Sequence, residues 1–242
     1  MPEPVNPETI AKLKGVSTAT LASALYKRGL FKQMIQDVVP LSVPKGGQSM
    51  VGPAYTLRYM PAREDLNKMD VFRDHSHPQR RAVEECPPGA VLVMDSRKDP
   101  RAASAGGILC TRLMVRGVAG VVTDGGFRDS VEISGLEMPS YHNRPSAPTN
   151  LTLHQAIAIN EPIGCGDAPV FPGDIIVGDA DGCIVVPAGI ADAIADEAVE
   201  MTAFEDFVTE RVREGAKTFG LYPPTDEGNL NAFAEWRKEN GR

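Results

Sequence analysis

Two apolar runs, Ala90–Asp95 (AVLVMD) and Ala119–Thr123 (AGVVT), flank a helix-length segment that opens on paired glycines and closes on Gly117. Neither run alternates polar with apolar residues. A strand made from either must therefore be covered on both faces, the condition found inside a parallel sheet. The intervening Gly106–Arg116 reads as a helix, so strand, helix and strand follow one another with short connections. That is the right-handed crossover unit of a parallel sheet. This one segment excludes an all-helical or purely antiparallel fold.

The flanks are read from the same local chemistry. Asn6-Pro7 supplies a cap and a first helical residue, with Ile10, Leu13 and Val16 at helical spacing. Ser17 or Thr18 can cap a second helix through Leu21, Ala24, Leu25 and Tyr26, stopped at Gly29. A Gly/Pro/Ser stretch then leads into a strand at Ala54–Tyr59. After about Pro145 short β runs are broken by Gly, Pro and Asp, as in Val170-Phe171-Pro172-Gly173-Asp174 and Cys183–Pro187, which predicts antiparallel strands. From Ala188 a long helix carries the stripe Ile190, Ile194, Ala198, Met201, Phe204, Phe207 and Val208. Beyond Pro223 the tail is polar, and Phe233 and Trp236 are expected to anchor on a neighbour. The expected fold is a mixed α/β sandwich in one domain: N-terminal helices over about 7–29, a core over about 34–187, and a helix and tail from about 188.

Composition narrows the functional classes. Among 242 residues, 25 Lys+Arg stand against 32 Asp+Glu, with no basic run, and aromatics are only 6%. Phosphate-backbone and base-stacking surfaces need the reverse, so nucleic acid is not the expected partner. No apolar stretch approaches the roughly 20 residues of a bilayer span, and no membrane partner is expected. The opening MPEPVNPETIAKLKG lacks the basic-then-apolar layout of a secretory leader. Cys86, Cys110, Cys165 and Cys183 show no paired spacing and read as reduced thiols, so a cytoplasmic location is expected.

The chemistry concentrates between Ser104 and Asp129. Gly106-Gly107 leave the first amides of the following helix unobstructed, a setting that favours a carboxylate or phosphate. The next strand ends at Thr123 and runs into Asp124-Gly125-Gly126-Phe127-Arg128-Asp129, at the sheet edge where α/β proteins collect ligands. Arg128 offers a rigid donor fork, and Asp129 hard oxygens for Mg²⁺ or Mn²⁺. A solvated Arg-Asp pair on an ordinary Asp-Gly-Gly turn accounts for the same residues on composition alone. The residues themselves lead to an anion site with a possible metal.

This stretch resembles the RraA-like family, which includes class II 4-hydroxy-4-methyl-2-oxoglutarate aldolases, oxaloacetate decarboxylases and the regulator of ribonuclease E activity. The family motif is an acidic or Gly residue, twenty intervening residues, and Arg-Asp; Gly107 and Arg128-Asp129 have that spacing. Gly117–Gly125 is similar to the strand entering the motif, while Pro172-Gly173-Asp174, Gly178–Gly182 and Val185-Val186-Pro187 resemble a second signature. The resemblance implies a swivelling β/β/α domain assembled as a homotrimer or hexamer with sites between subunits. It implies Mg²⁺ on Asp129, Arg128 on the keto oxygen of a small 2-oxo acid, and the Ile108 and Leu109 amides on its carboxylate. It also implies an acidic residue from the C-terminal helix of the adjacent subunit, matched best by Glu205 with Glu200 behind it. The implied activity is metal-dependent C–C cleavage, by decarboxylation of oxaloacetate or aldol cleavage. The alternatives are a non-catalytic protein-binding regulator and a hydratase or hydrolase on a sugar-derived keto acid. Aldolases of the family carry an acid where this chain has Gly107, and only aldol cleavage needs a base for a hydroxyl proton.

Other polar residues have plainer readings. His75 and His77 have no third ligand in the sequence near them and read as exposed or capping. Arg80 and Arg81 can reach a second substrate carboxylate or, by default, bridge to Glu84 and Glu85. His142 and Arg144 are pocket candidates set against a Pro-rich turn. Asp179 and Asp181 imitate a calcium loop without its closing Glu, so a tight turn is expected.

Overall fold

The computed structural model describes residues 6–242; the first five, part of the stretch read for a leader, lie outside it. In chain order the elements are α1 (Pro7–Leu13), α2 (Thr18–Tyr26), β1 (Val39–Ser42), β2 (Met50–Pro61), α3 (Pro78–Glu85), β3 (Val91–Asp95), β4 (Ala103–Ala105), α4 (Gly107–Val115), β5 (Gly120–Thr123), β6 (Gly126–Phe127) and α5 (Ser130–Ser134). There follow β7 (Ser140–His142), β8 (Arg144–Pro145), β9 (His154–Ile159), β10 (Ile163–Cys165), β11 (Ala168–Val170), β12 (Ile175–Asp179), β13 (Gly182–Val186), α6 (Ala191–Arg213) and α7 (Glu227–Asn240).

The main sheet runs β1-β7-β5-β3-β2-β12-β13, with β9 also paired to β2. Pairing is parallel from β2 through β3 and β5 to β7, as the crossover reading requires, and antiparallel elsewhere. The continuous apolar run of β3 is divided between the sheet faces. Leu92 and Met94 pack with Ala82, Val83, Cys110 and Leu113 of α3 and α4, while Val91 and Val93 pack with Ile163, Cys165 and Val170 of the β10–β11 hairpin. Both faces are covered, which is why alternation is absent from the sequence.

The predicted strand Ala54–Tyr59 is the middle of a longer one. From Met50 to Pro53, β2 pairs with β12; from Ala54 onward it pairs with β3 and, further on, with β9. Pro53 sits at the changeover, where a missing donor costs least. Gly52 is required next to it, since a Cβ there would meet the Gly89 carbonyl oxygen at 2.4 Å.

At the amino end, the Asn6 side chain accepts from the Glu8 amide and the Ser17 hydroxyl from the Thr20 amide, as capping chemistry predicts. The tight turn expected at Asp179 is the β12–β13 connection. The Asp179 carboxylate accepts from the Thr18 amide at 2.7 Å and from the Asp181 amide at 2.9 Å, tying α2 to that turn. The helices α1, α2 and α6 cover β12 and β13 through Leu13, Leu21, Leu25, Ile184, Val186 and Ile194.

One expectation is corrected at the carboxyl end. The tail is a helix, α7, and Trp236 does not reach for a neighbour. It packs on Phe207 with Phe204 and Phe233, and its indole N–H donates to Glu210 at 2.6 Å. A polar helix with two aromatic anchors buries them on its own chain when the connection over residues 214–226 folds it back. All four cysteines are buried and free. Among the described residues no helix is long and apolar enough to cross a membrane.

The segment leading to Arg128 is pinned by a buried carboxylate. Asp124 follows β5 and accepts from the amides of Ser96 at 2.6 Å, Lys98 at 3.1 Å and Gly166 at 3.1 Å, joining the ends of three connections. Burial pushes its pKa up to about 6 despite these donors. In the unfolded chain an Asp loses its proton near 3.9, so the folded state holds one the unfolded state has released between about pH 4 and 6. The stability so gained is present below about pH 4 and lost as pH rises through 6, roughly 3 kcal/mol in all. Urea unfolding across this range should show that decline in the wild type and a flatter profile in Asp124→Asn.

Candidate active site

The Gly-Gly helix start and the Arg-Asp pair meet at one cavity. A small three-stranded parallel sheet, β4-β6-β8, brings Ala103–Ala105 beside Gly126–Phe127, so the chain entering α4 lies next to the chain leaving β6. Its position is fixed from behind. The Tyr59 hydroxyl donates to the Ser104 carbonyl at 3.0 Å and the Gln79 amide to the same oxygen at 2.6 Å, while the Ser104 hydroxyl bonds Thr123 at 2.7 Å.

Asp129 has φ 57° and ψ 40°. An Asp tolerates this left-handed backbone better than most residues, and strain of this kind gathers at functional sites. The turn folds the Asp129 carboxylate back on α4, where Oδ2 accepts from the Gly107 amide at 3.1 Å with Arg128 Nε 3.5 Å away. Gly106 leaves room for the pair, since a Cβ there would stand 2.8 Å from Asp129 Oδ2 and 2.9 Å from Arg128 Nε. Both side chains remain nearly half exposed. Asp129 thus takes one of the orphan amides of the α4 turn, while those of Ile108 and Leu109 have no partner within the helix.

The cavity holds about 160 Å³, room for about five waters at roughly 30 Å³ each or for one small acid. Gly106, Ile108, Leu109, Arg128 and Asp129 line it together with Phe72, Arg80 and Asn150. Glu205 lies elsewhere on the same chain, in a second cavity with Ser17 and Asp179, where it accepts from the Thr20 hydroxyl at 2.7 Å.

A residue not singled out from the sequence stands beside Gly107, though it is not among the side chains that line the cavity. Gly107 faces the Glu132 side chain of α5, and a Cβ on Gly107 would lie 2.3 Å from Glu132 Oε2. A carboxylate therefore occupies the space where an acidic residue at position 107 would begin. Its signal was its spacing, three residues beyond Asp129 and one helical turn into α5, which places it on the same side of that turn.

Other candidates fall away from the cavity. His142 is buried and stacks on Phe127 with ring centroids 5.6 Å apart, and burial pushes its pKa down to about 4. Arg144 is exposed on β8 and does not line the cavity. His77 is buried at the start of α3 against Phe72, whereas His75 is exposed, so the two do not form a metal pair. Among the described residues no three His, Cys, Asp or Glu side chains cluster as a metal cage.

The architecture and cavity define an α/β protein with a carboxylate and a guanidinium beside a bare helix start. Residues 18–185 match the RraA-like family, described as Aldolase/RraA. The chain belongs to that family. It is 35% identical over 134 residues to a protein of Halalkalibacterium halodurans, covering 54% of this chain and 61% of that one, and 32% identical over 151 residues to one of Burkholderia mallei, covering 60% and 81%. Both relatives carry the name "Putative 4-hydroxy-4-methyl-2-oxoglutarate aldolase". The chain thus spans less than two thirds of the first relative's length. Among solved structures it is similar to Streptomyces coelicolor RraAS2, described as an unusual member of the RNase ES inhibitor RraA protein family. That likeness has TM-score 0.73 at 28% identity and covers 85% of this chain and 97% of that one. The fold is accordingly the mixed α/β architecture of RraA proteins.

The glycines give a steric test of the geometry. Gly107→Ala displaces only the far end of Glu132 and should cost under about 1 kcal/mol in urea unfolding. Gly52→Ala drives a methyl into fixed backbone and should cost about 1–3 kcal/mol.

Proposed function

We propose that the chain is a divalent-metal-dependent lyase that cleaves the C3–C4 bond of a 2-oxo acid, by decarboxylation of oxaloacetate, aldol cleavage of a 4-hydroxy-2-oxo acid, or both. The observation that carries this reading is the Asp129 carboxylate held at the α4 start beside Arg128, with the Glu132 carboxylate packed on Gly107. The donor set fits the cation. Mg²⁺ and Mn²⁺ are held by one or two carboxylates plus water and substrate oxygens rather than by an all-protein cage. Asp129 would hold it, and when bound the ion supplies Lewis-acid polarisation of the keto oxygen.

The chain's own groups do the rest. The Ile108 and Leu109 amides bind and orient the substrate carboxylate. Arg128 donates to the keto oxygen and meets the negative charge that develops there as the bond breaks. In aldol cleavage Glu132 accepts the C4 hydroxyl proton, C4 leaves as a carbonyl, and the C3–C4 electron pair stays with the three-carbon half. A proton delivered to C3 then releases pyruvate. Decarboxylation uses the same groups without a proton acceptor for C4, because the leaving fragment is CO₂. Glu205 lines a different cavity of its own chain, so any part it takes in the reaction would come from an adjacent copy, as in the proposed trimeric or hexameric ring. The likeness to RraAS2 favours a second reading, a protein-binding regulator.

Mixing protein, Mg²⁺ and oxaloacetate and following pyruvate separates the two. We expect turnover that EDTA and Asp129→Ala both abolish; near-normal rates in either would refute the lyase. Glu132→Gln should lower aldol cleavage by about 10²–10⁴-fold and decarboxylation far less. Equal losses in the two reactions would remove Glu132 from the proton-accepting role.

A further inference from the structure

Between β2 and α3 the chain runs over residues 62–77, with a helical turn at Met69–Arg73 and irregular backbone on either side of it. Connections this long are uncommon in compact domains, and where they occur they serve as lids or binding loops. Most polar bonds of the segment stay inside it. Arg63 forks onto Asp65 at 2.8 and 3.1 Å, the Arg63 carbonyl accepts from the Asn67 amide at 2.9 Å, and the Asp74 carboxylate accepts from the Ser76 amide at 2.8 Å. Ties to the body of the chain are the Ala62 amide donating to the Leu153 carbonyl at 3.0 Å and the Asn67 side chain donating to Gln155 at 3.1 Å. Leu66 is 50% and Met69 68% exposed. Polar bonds kept within a segment, with its apolar side chains left in solvent, mark a part of the fold that opens at low cost.

Phe72 carries this segment into the active site. It lines the Arg128–Asp129 cavity of about 160 Å³ and also a wider groove of about 850 Å³ beside it, so its ring stands at the boundary between the two spaces. Two contacts seat the ring. The Arg80 guanidinium lies 4.4 Å from its centroid, and the His77 ring meets it edge-on with centroids 5.4 Å apart. Arg80 differs in this from the arginines around it. Arg81 forks onto Glu85 with contacts of 2.7 and 2.9 Å, and Arg112 pairs with Glu84 at 2.7 Å. A cation–π contact holds a ring in place and is modest enough to break and re-form.

We infer that residues 62–77 are a lid over the active site, with Phe72 as the gate between groove and cavity and Arg80 as the latch. A small acid passes from the groove when the ring lifts, and closing seats Phe72 and Met69, which also lines the cavity, over the bound molecule. The inference rests on the lyase reading for what the lid covers. Shutting out water there strengthens the attraction between Arg128 and the charge that develops on the keto oxygen.

The test is limited trypsin digestion of the full chain, followed by mass spectrometry. Arg63, Lys68 and Arg73 lie in the lid, and Lys217, between α6 and α7, is the internal reference; all four are exposed. A ligand that binds only the closed form depletes the open one. With Mg²⁺ and oxalate at about ten times the dissociation constant measured by titration calorimetry, cleavage at the lid sites should slow at least about fivefold. Cleavage at Lys217 should not change. Phe72→Ala removes the gate and should speed lid cleavage of the free protein about 2–30-fold, the worth of one cation–π contact. Circular dichroism verifies that this variant folds. Equal slowing at all four sites, or none while calorimetry registers oxalate, overturns the lid. Resistance of the lid sites in the free protein, a failure of oxalate to bind, or an unchanged rate in Phe72→Ala does so too. Turnover of oxaloacetate with unprotected sites removes the lid and leaves the lyase, whereas protected sites without any turnover do the reverse.

Discussion

The hydrogen bond from the Gly107 amide to the Asp129 carboxylate is the contact on which the site depends. It joins the start of α4 to the turn that ends β6, two points 22 residues apart in sequence. It requires Gly106 and Asp129 to be what they are. A side chain on Gly106 would strike the carboxylate, and Asp129 reaches the amide by accepting a left-handed backbone. Charge also favours the arrangement, since a carboxylate at a helix start meets the positive end of the helix dipole. Without this contact Arg128 and Asp129 would be an ordinary solvated pair on a turn.

The scaffold around that contact explains why it can be held. Crossover strands β3 and β5 are covered on both faces, so their ends emerge from a packed and rigid layer. Beyond those ends, polar groups take over from apolar packing. Asp124 collects three amides, the Ser96, Ser104 and Thr123 hydroxyls bond one another, and Gln79 with Tyr59 fixes the carbonyl of Ser104. A satisfied polar network of this sort specifies one arrangement of loops where burial alone would allow several.

Much of this is legible in the sequence wherever the information is local. The caps at Asn6 and Ser17, the turn at Asp179 and the crossover unit all follow from residues close together in the chain. So does the meeting of Gly106-Gly107 with Arg128-Asp129, because a crossover returns the chain to the same sheet edge. What escapes is set by contacts between distant segments. Glu132 matters because of what Gly107 lacks, and Arg80 differs from Arg81 only through which neighbour each one faces. Trp236 reads as an exposed anchor until α7 is seen to fold onto α6. The extension of β2 past Pro53 is likewise hidden, since proline argues locally against a strand that the pairing with β12 nevertheless continues.

The aromatic cluster between α6 and α7 has an optical consequence. Trp236 is the single tryptophan of the chain, and it is packed against Phe207 at the α6–α7 junction, outside the lining of its own chain's Arg128–Asp129 cavity, with its indole bonded to Glu210. Intrinsic fluorescence excited at the indole band therefore reports the docking of one helix on another. A red-shifted emission at temperatures where the far-ultraviolet spectrum is still native would mark detachment of α7 as a separate, earlier step of unfolding.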